Sequence, residues 1–311
     1  EIFAPYLVYI IAPGFIENDI KFYLAVELTR ITFPFLFFIS LSSFFSGILN
    51  SNNKFAAVAA APIILNIILI LSLVFSYKLN LNFAKQLSYG VTLAGVLQLI
   101  FLFFVTLKFY RPTLTFNLKI DSKVKFFFKK LLPSIFSSGI TQVNILIGTI
   151  IASFETGAVS YLYYADRIYQ INLAIAGIAV GTVSLPVLSK TFKEKNLKKL
   201  SNIQSKSFEL SLLLSIPASF GLILASDEIV NALFGYGSFS PEDVKMTSAA
   251  LKYFGYGVPA FALVKILSNF FFARENTKTP FYISMAIVIV NISISASLFK
   301  NFGFIIIPIA T

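Results

Sequence analysis

Two adjacent charges, Asp166 and Arg167, sit inside the otherwise apolar run Tyr161–Lys190, YLYYADRIYQINLAIAGIAVGTVSLPVLSK. As a helix this run is long enough to cross a hydrocarbon core, which needs about 20 residues. Charge at such a place is costly unless it faces protein or a water-filled cavity, so the pair marks a candidate ligand site. A guanidinium offers several donors in one plane and matches a phosphate or carboxylate in a way a lysine ammonium does not. Neighbouring helical residues point about 100° apart, so the two charges cannot face one partner squarely. The Arg167 side continues through Gln170, Ala174, Gly177 and Gly181, polar near one end and small further in. The competing structural role for Arg167 is to reach the outer headgroups, or to pair with Asp166 or Glu155.

The helix expected just before it, about residues 131–154, is apolar on average but polar along one side. Ser134, Ser138, Thr141, Asn144 and Gly148 recur at helical spacing, with Gln142 beside them. Asp166, Gln170, Ser138, Thr141, Gln142 and Asn144 are therefore candidate cavity-lining residues around a ligand-binding Arg167. The plainer role for the stripe is hydrogen bonding between helices, worth about 0.6 kcal/mol per pair. Gly177 and Gly181 match the small-xxx-small pattern of close helix packing and are also candidate hinge points. Pro217 and Pro259 fall inside predicted spans and are candidate kinks.

Several chemistries lack their residues. The chain has no cysteine and no histidine, which removes thiol nucleophiles, disulfides, Cys/His metal sites and the imidazole base. No GxxxxGK[ST] loop is present, and no two carboxylates come together within a predicted span. No catalytic residue, metal ligand or cofactor is expected, and the chain does not read as an enzyme. Lys265, the other charge inside a span, is expected to extend to the cytoplasmic surface near Arg274.

The elements that hold these residues follow from composition. Of 311 residues, 57% are hydrophobic and 13% charged, far more apolar surface than one soluble core can use. About eight full membrane spans are predicted, with fragments at both ends. They lie near 32–49, 55–77, 86–108, 131–154, 161–190, 208–225, 247–272 and 280–299. Residues 227–245 are expected to form a short interfacial helix and a glycine-containing loop. The net charge of +11 reflects loops rich in lysine and arginine, not a nucleic-acid partner. The basic connections Arg111–Lys130, Lys190–Lys199 and Arg274–Lys278 are placed in the cytoplasm, and the acid-rich ones at Glu17–Asp19, Glu155 and Asp227–Asp243 outside. Lys78 and Lys85 depart from this rule. A faint parallel repeat relates Asn50–Asn66 to Phe272–Asn291, each with a polar turn, a proline and a later asparagine. The chain begins at Glu1 and ends within an apolar run, as expected for an internal portion of a longer protein.

Three stretches carry a family resemblance. TFPFLFFISLSSFFSGILN with KFAAVAAAPIILN resembles the fourth and fifth helices of the lipid II flippase MurJ (MviN) family. VSYLYYADRIYQINLAIAGIAVGTVSLPVLSK is similar to its eighth helix, and LFGYGSFSPEDVKMTSAALKYFGYGVPAFALVKILSNFFFARENTKTP to its loop and tenth helix. The resemblance implies an all-α polytopic membrane protein of the multidrug/oligosaccharidyl-lipid/polysaccharide exporter superfamily, a two-lobed helical bundle of which this is a partial chain. Residues 1–110 would be the remainder of the N-terminal six-helix lobe, 111–130 a cytoplasmic connection, and 131–311 most of the C-terminal lobe. It also implies movement of the undecaprenyl-pyrophosphate-linked peptidoglycan precursor between leaflets of a bacterial cytoplasmic membrane, by alternating access. Arg167 matches the arginine of the family's YADR motif; the family's other cavity arginines lie in a first helix that precedes this chain. The implied partners are that precursor, membrane lipids and other cell-wall synthesis proteins. Alternative functions are a flippase for another lipid-linked oligosaccharide, a drug antiporter of the superfamily, or a non-transporting membrane scaffold.

Overall fold

The computed structural model describes residues 2–52, 54–110, 124–126, 128, 142–274 and 276–311. The chain divides into two compact units, Glu1–Ser122 and Lys123–Thr311. Among the described residues seven helices are long and apolar enough to span a bilayer. Most of the predicted 131–154 span, including Ser134, Ser138 and Thr141, lies outside the described residues, as does most of the basic connection 111–130; Gln142–Ala152 remains as a shorter apolar helix.

The first unit contains α1 (Ala4–Ile11), α2 (Asp19–Thr32), α3 (Pro34–Ser51), α4 (Phe55–Leu79) and α5 (Phe83–Leu107). Asn18 and Asn82 cap α2 and α5 by accepting from the Lys21 and Lys85 amides. Pro34, which cannot donate a helical hydrogen bond, divides α2 from α3. The centre of this unit is α5, whose buried stripe Gly90, Ala94, Gln98, Leu102 and Thr106 advances in steps of four. Beside the stripe, Gly95 lets α3 approach: a Cβ there would lie 2.7 Å from the Phe35 ring. Lys85, one of the two lysines that depart from the loop-charge rule, bonds Glu27 at 2.7 Å. Its charge is answered within the unit.

The second unit contains α6 (Gln142–Ala152), then one continuous helix, Ala158–Lys193. That helix is α-helical over α7 (Ala158–Leu173), π-helical over Ala174–Ala179, and α-helical again over α8 (Val180–Lys193). It is followed by α9 (Leu197–Leu224), the short α10 (Ser226–Phe234), α11 (Pro241–Ala273), α12 (Lys278–Phe302) and α13 (Ile306–Ala310). The expected interfacial helix is thus α10, while Asp243 and Lys245 belong to the start of α11. Pro217 and Pro259 both lie within continuous helices.

The core of this unit joins α7, α10, α11 and α13. Ala158, Ala165, Val230, Ala250, Leu251 and Val258 are completely buried in it, and Tyr169 stacks on Phe254 with centroids 5.3 Å apart. Small residues on α7 bring the backbones close, so the aromatic and branched residues of α11 can fill the space between. At one end Ser240 and Asp243 form a capping box for α11, and the Tyr161 hydroxyl donates to Asp243 at 2.9 Å. Glu155 accepts from the Phe304 amide at 2.7 Å, pinning the turn where Gly303 takes φ +61°.

Candidate functional site

Asp166 and Arg167 leave α7 in different directions, as the helical angle requires. The Asp166 carboxylate accepts from the Gln170 amide one turn on and lines a half-open pocket of about 220 Å³. Asn144 and Gly148 of α6 share that cavity, with Tyr163 of α7, Asn291 of α12 and Thr311. The Asn291 amide donates to the Thr311 hydroxyl at 3.1 Å, and Asn144 Oδ1 is buried with no hydrogen-bond partner among the described residues. Polar groups from three helices therefore converge on one pocket within this unit. Asp166, Gln170 and Asn144 of the predicted site are near one another; Gln142 is exposed on α6. Ser138 and Thr141 fall outside the described residues.

Arg167 is on the open side of α7. Its guanidinium lies over the Tyr163 ring at 4.6 Å from the centroid, and it makes no ion pair with Asp166 or Glu155 among the described residues. Tyr163 lines the Asp166 pocket and also carries the Arg167 guanidinium over its ring. The planar donors of a guanidinium suit a phosphate or carboxylate. Lys265 is also exposed, and its stem approaches Gly181.

Gly177 and Gly181 are packing positions. A Cβ on Gly177 would sit 3.1 Å from the Cα of Ala262, and one on Gly181 would sit 2.7 Å from the Asn269 amide nitrogen. That nitrogen donates to the Gly181 carbonyl at 2.8 Å. Gly177 also lies within the π-helical segment, where i→i+5 pairing changes the backbone pattern.

Sequence reasoning passed over a row on α9. Ser207, Ser211, Ser215 and Ser219 are buried at steps of four. Ser211 donates to the Ala176 carbonyl of the π segment at 2.9 Å, and Ser219 to the Gly255 carbonyl at 2.7 Å. The spacing of four was available as the signal; what was missing was the partner, a carbonyl on another helix. Among the described residues no group of three Cys, His, Asp or Glu side chains comes together.

Long apolar spans, a split charge pair on one of them and close small-residue crossings define a multi-pass helical membrane protein. A family model described as "Lipid II flippase MurJ" matches residues 1–311. The chain belongs to that family. It is 40% identical over 314 residues to the "Probable lipid II flippase MurJ" of Rickettsia prowazekii, covering 100% of this chain and 61% of the relative. It is 40% identical over 311 residues to that of Rhizobium meliloti, covering 97% and 57%. A solved structure titled "Lipid II flippase MurJ, inward closed conformation" superposes with a TM-score of 0.87 at 26% identity, over 100% of this chain and 64% of that one. The chain thus spans about three fifths of the length of the relatives it matches.

Proposed function

We propose that this chain is part of a flippase that moves the undecaprenyl-pyrophosphate-linked peptidoglycan precursor from the inner to the outer leaflet of the bacterial cytoplasmic membrane. The observation that carries this is the family match over every residue of the chain. In this proposal Arg167 binds the anionic headgroup. Asp166, Gln170 and Asn144 belong to its polar surroundings, and the lipid tail stays in the bilayer. Residues 1–110 and 131–311 act as parts of two lobes joined by 111–130, whose rocking exposes the site to each side in turn. The protein acts without covalent chemistry, and other cell-wall synthesis proteins are its partners. Support for Arg167 comes from its exposure and its position over the Tyr163 ring.

The test is Arg167→Ala in the full-length protein. Arg167 is exposed, lies over the Tyr163 ring and interacts electrostatically with the neighbouring Asp166, so truncation removes a cation–π contact worth about 0.5–1 kcal/mol and a screened charge interaction and leaves the fold intact. Expression and thermal stability should stay near those of the unsubstituted protein. Lipid II translocation in vesicles, and rescue of cells depleted of their own flippase, should be lost. Full rescue by Arg167→Ala would remove Arg167 from the mechanism.

A further inference from the structure

The helix α9 carries a second pattern, beside its serine row. Leu214, Leu210, Lys206, Asn202 and Lys198 follow one another in steps of four, apolar toward the middle of the span and basic toward the Lys190–Lys199 connection. The apolar part is one wall of a groove of about 520 Å³. Ile175, Val183 and Val187 line the α7–α8 side, and Lys206 lines the α9 side between Leu210 and Ile203. From Ile175 to Val187 the groove runs twelve residues, about 18 Å at 1.5 Å per residue, the reach of an extended acyl chain.

A separate, shallow recess near the start of α9 is lined by Asn196, Leu197, Lys198, Lys199, Ser201 and Asn202. Lys206 and Lys198 make no ion pair among the described residues, and Lys199 reaches Glu194 only at 4.0 Å. Glu209 is three residues past Lys206 but lines a separate cleft with Leu267 and Phe270. The groove therefore offers an apolar slot with an ammonium in its lining, and a basic recess lies nearer the start of the same helix.

We infer that this groove binds a membrane phospholipid with an anionic headgroup, one acyl chain lying between α8 and α9 and the phosphate held by Lys206 and the Lys198–Asn202 recess. Charge complementarity selects the occupant: a basic group near an anionic leaflet surface contributes about 1 kcal/mol, about fivefold in preference, per lysine. A zwitterionic lipid fills the slot equally well but gains little from the lysines.

The chain has no cysteine, so a single reporter site can be introduced into the full-length protein in a background free of other cysteines. A fluorophore attached at Leu210→Cys, or at Val183→Cys on the opposite wall, is exposed to quenching by nitroxide-labelled phospholipids in reconstituted vesicles; the two side chains are 46% and 73% exposed. Both reporters should show phosphatidylglycerol preferred over phosphatidylcholine by about fivefold or more. Lys206→Gln should lower that ratio by about fivefold. Lys252→Gln, on α11 near the acid-rich end, should leave it unchanged. Equal quenching by the two lipids, an unaltered ratio in Lys206→Gln, or no quenching by either because protein covers the groove would each overturn the inference. Lipid extracted with the purified protein provides the second measurement: Lys206→Gln should retain less phosphatidylglycerol at unchanged size-exclusion behaviour, and equal retention counts against it.

Discussion

Replacing Gly181 with alanine tests how the two longest helices of the second unit are held together. The added Cβ would lie 2.7 Å from the Asn269 amide nitrogen, well inside the 3.4 Å at which ordinary contact begins. Asn269 is 7% exposed and already spends that nitrogen on the Gly181 carbonyl, 2.8 Å away. Making room for the methyl means moving the amide off the carbonyl, leaving both buried groups short of a partner. Such a loss costs about 1–3 kcal/mol in a water-excluded interior. Hydrogen bonds between membrane helices average about 0.6 and reach about 1.7 kcal/mol, so we expect Gly181→Ala to cost about 1–2 kcal/mol. Asn269→Ala loses the same bond and should cost a similar amount, but it also clears the space the methyl needs. In the Asn269→Ala background Gly181→Ala should therefore cost almost nothing.

Gly177→Ala should behave differently, because its Cβ would press on the Ala262 backbone, which cannot rotate away. Its penalty should persist whether or not Asn269 is present. Unfolding free energies of the full-length protein, measured by steric trapping in micelles, give the cycle. Additivity of Gly181→Ala and Asn269→Ala within about 0.5 kcal/mol would refute the argument, since it would mean the two groups do not share the contact.

Other outcomes follow from single contacts. Ser211→Ala removes the hydroxyl donor to the Ala176 carbonyl; we expect a stability loss under about 1 kcal/mol but faster amide hydrogen exchange across Ala174–Ala179, and unchanged exchange there would show the π segment to be held by other contacts. Lys85→Gln breaks an ion pair whose side chains are 40% and 48% exposed; stability should change by less than about 1 kcal/mol, and cysteine-accessibility mapping should find the same topology. An inverted topology in that variant would mean Lys85 is a determinant of orientation despite its partner.

The membrane spans were legible from the chain because the bilayer imposes length and polarity directly: about 20 apolar residues and internally satisfied backbone groups leave few alternatives to a helix. Seven of the predicted spans, near 32–49, 55–77, 86–108, 161–190, 208–225, 247–272 and 280–299, correspond to α3, α4, α5, the α7–α8 helix, α9, α11 and α12. The polar ends, the short α10 and the loop before α11 were signalled by Gly, Asp, Glu and Ser in the usual capping and turn positions. The candidate site was visible as residue types on one helix. Its grouping was not: periodicity places Asp166, Arg167 and Gln170 around a cylinder but does not say which neighbour each one meets. The stripe on α6 was expected to serve the arginine, whereas Asn144 and Gly148 share a cavity with Asp166.

What the sequence by itself determined is therefore local and one-dimensional: which segments span, where charge sits along each span, and that Asp166 and Arg167 must diverge. The tertiary structure decided what each group faces. It paired Lys85 with Glu27, set Arg167 on Tyr163, turned Ser211 and Ser219 of α9 toward carbonyls of neighbouring helices, and made Gly177 and Gly181 points of close contact with α11. The reason is physical. Hydrophobicity, which writes the spans into the sequence, does not distinguish one apolar neighbour from another inside a bilayer; close packing and hydrogen bonds between helices do, and those depend on contacts far apart in the chain.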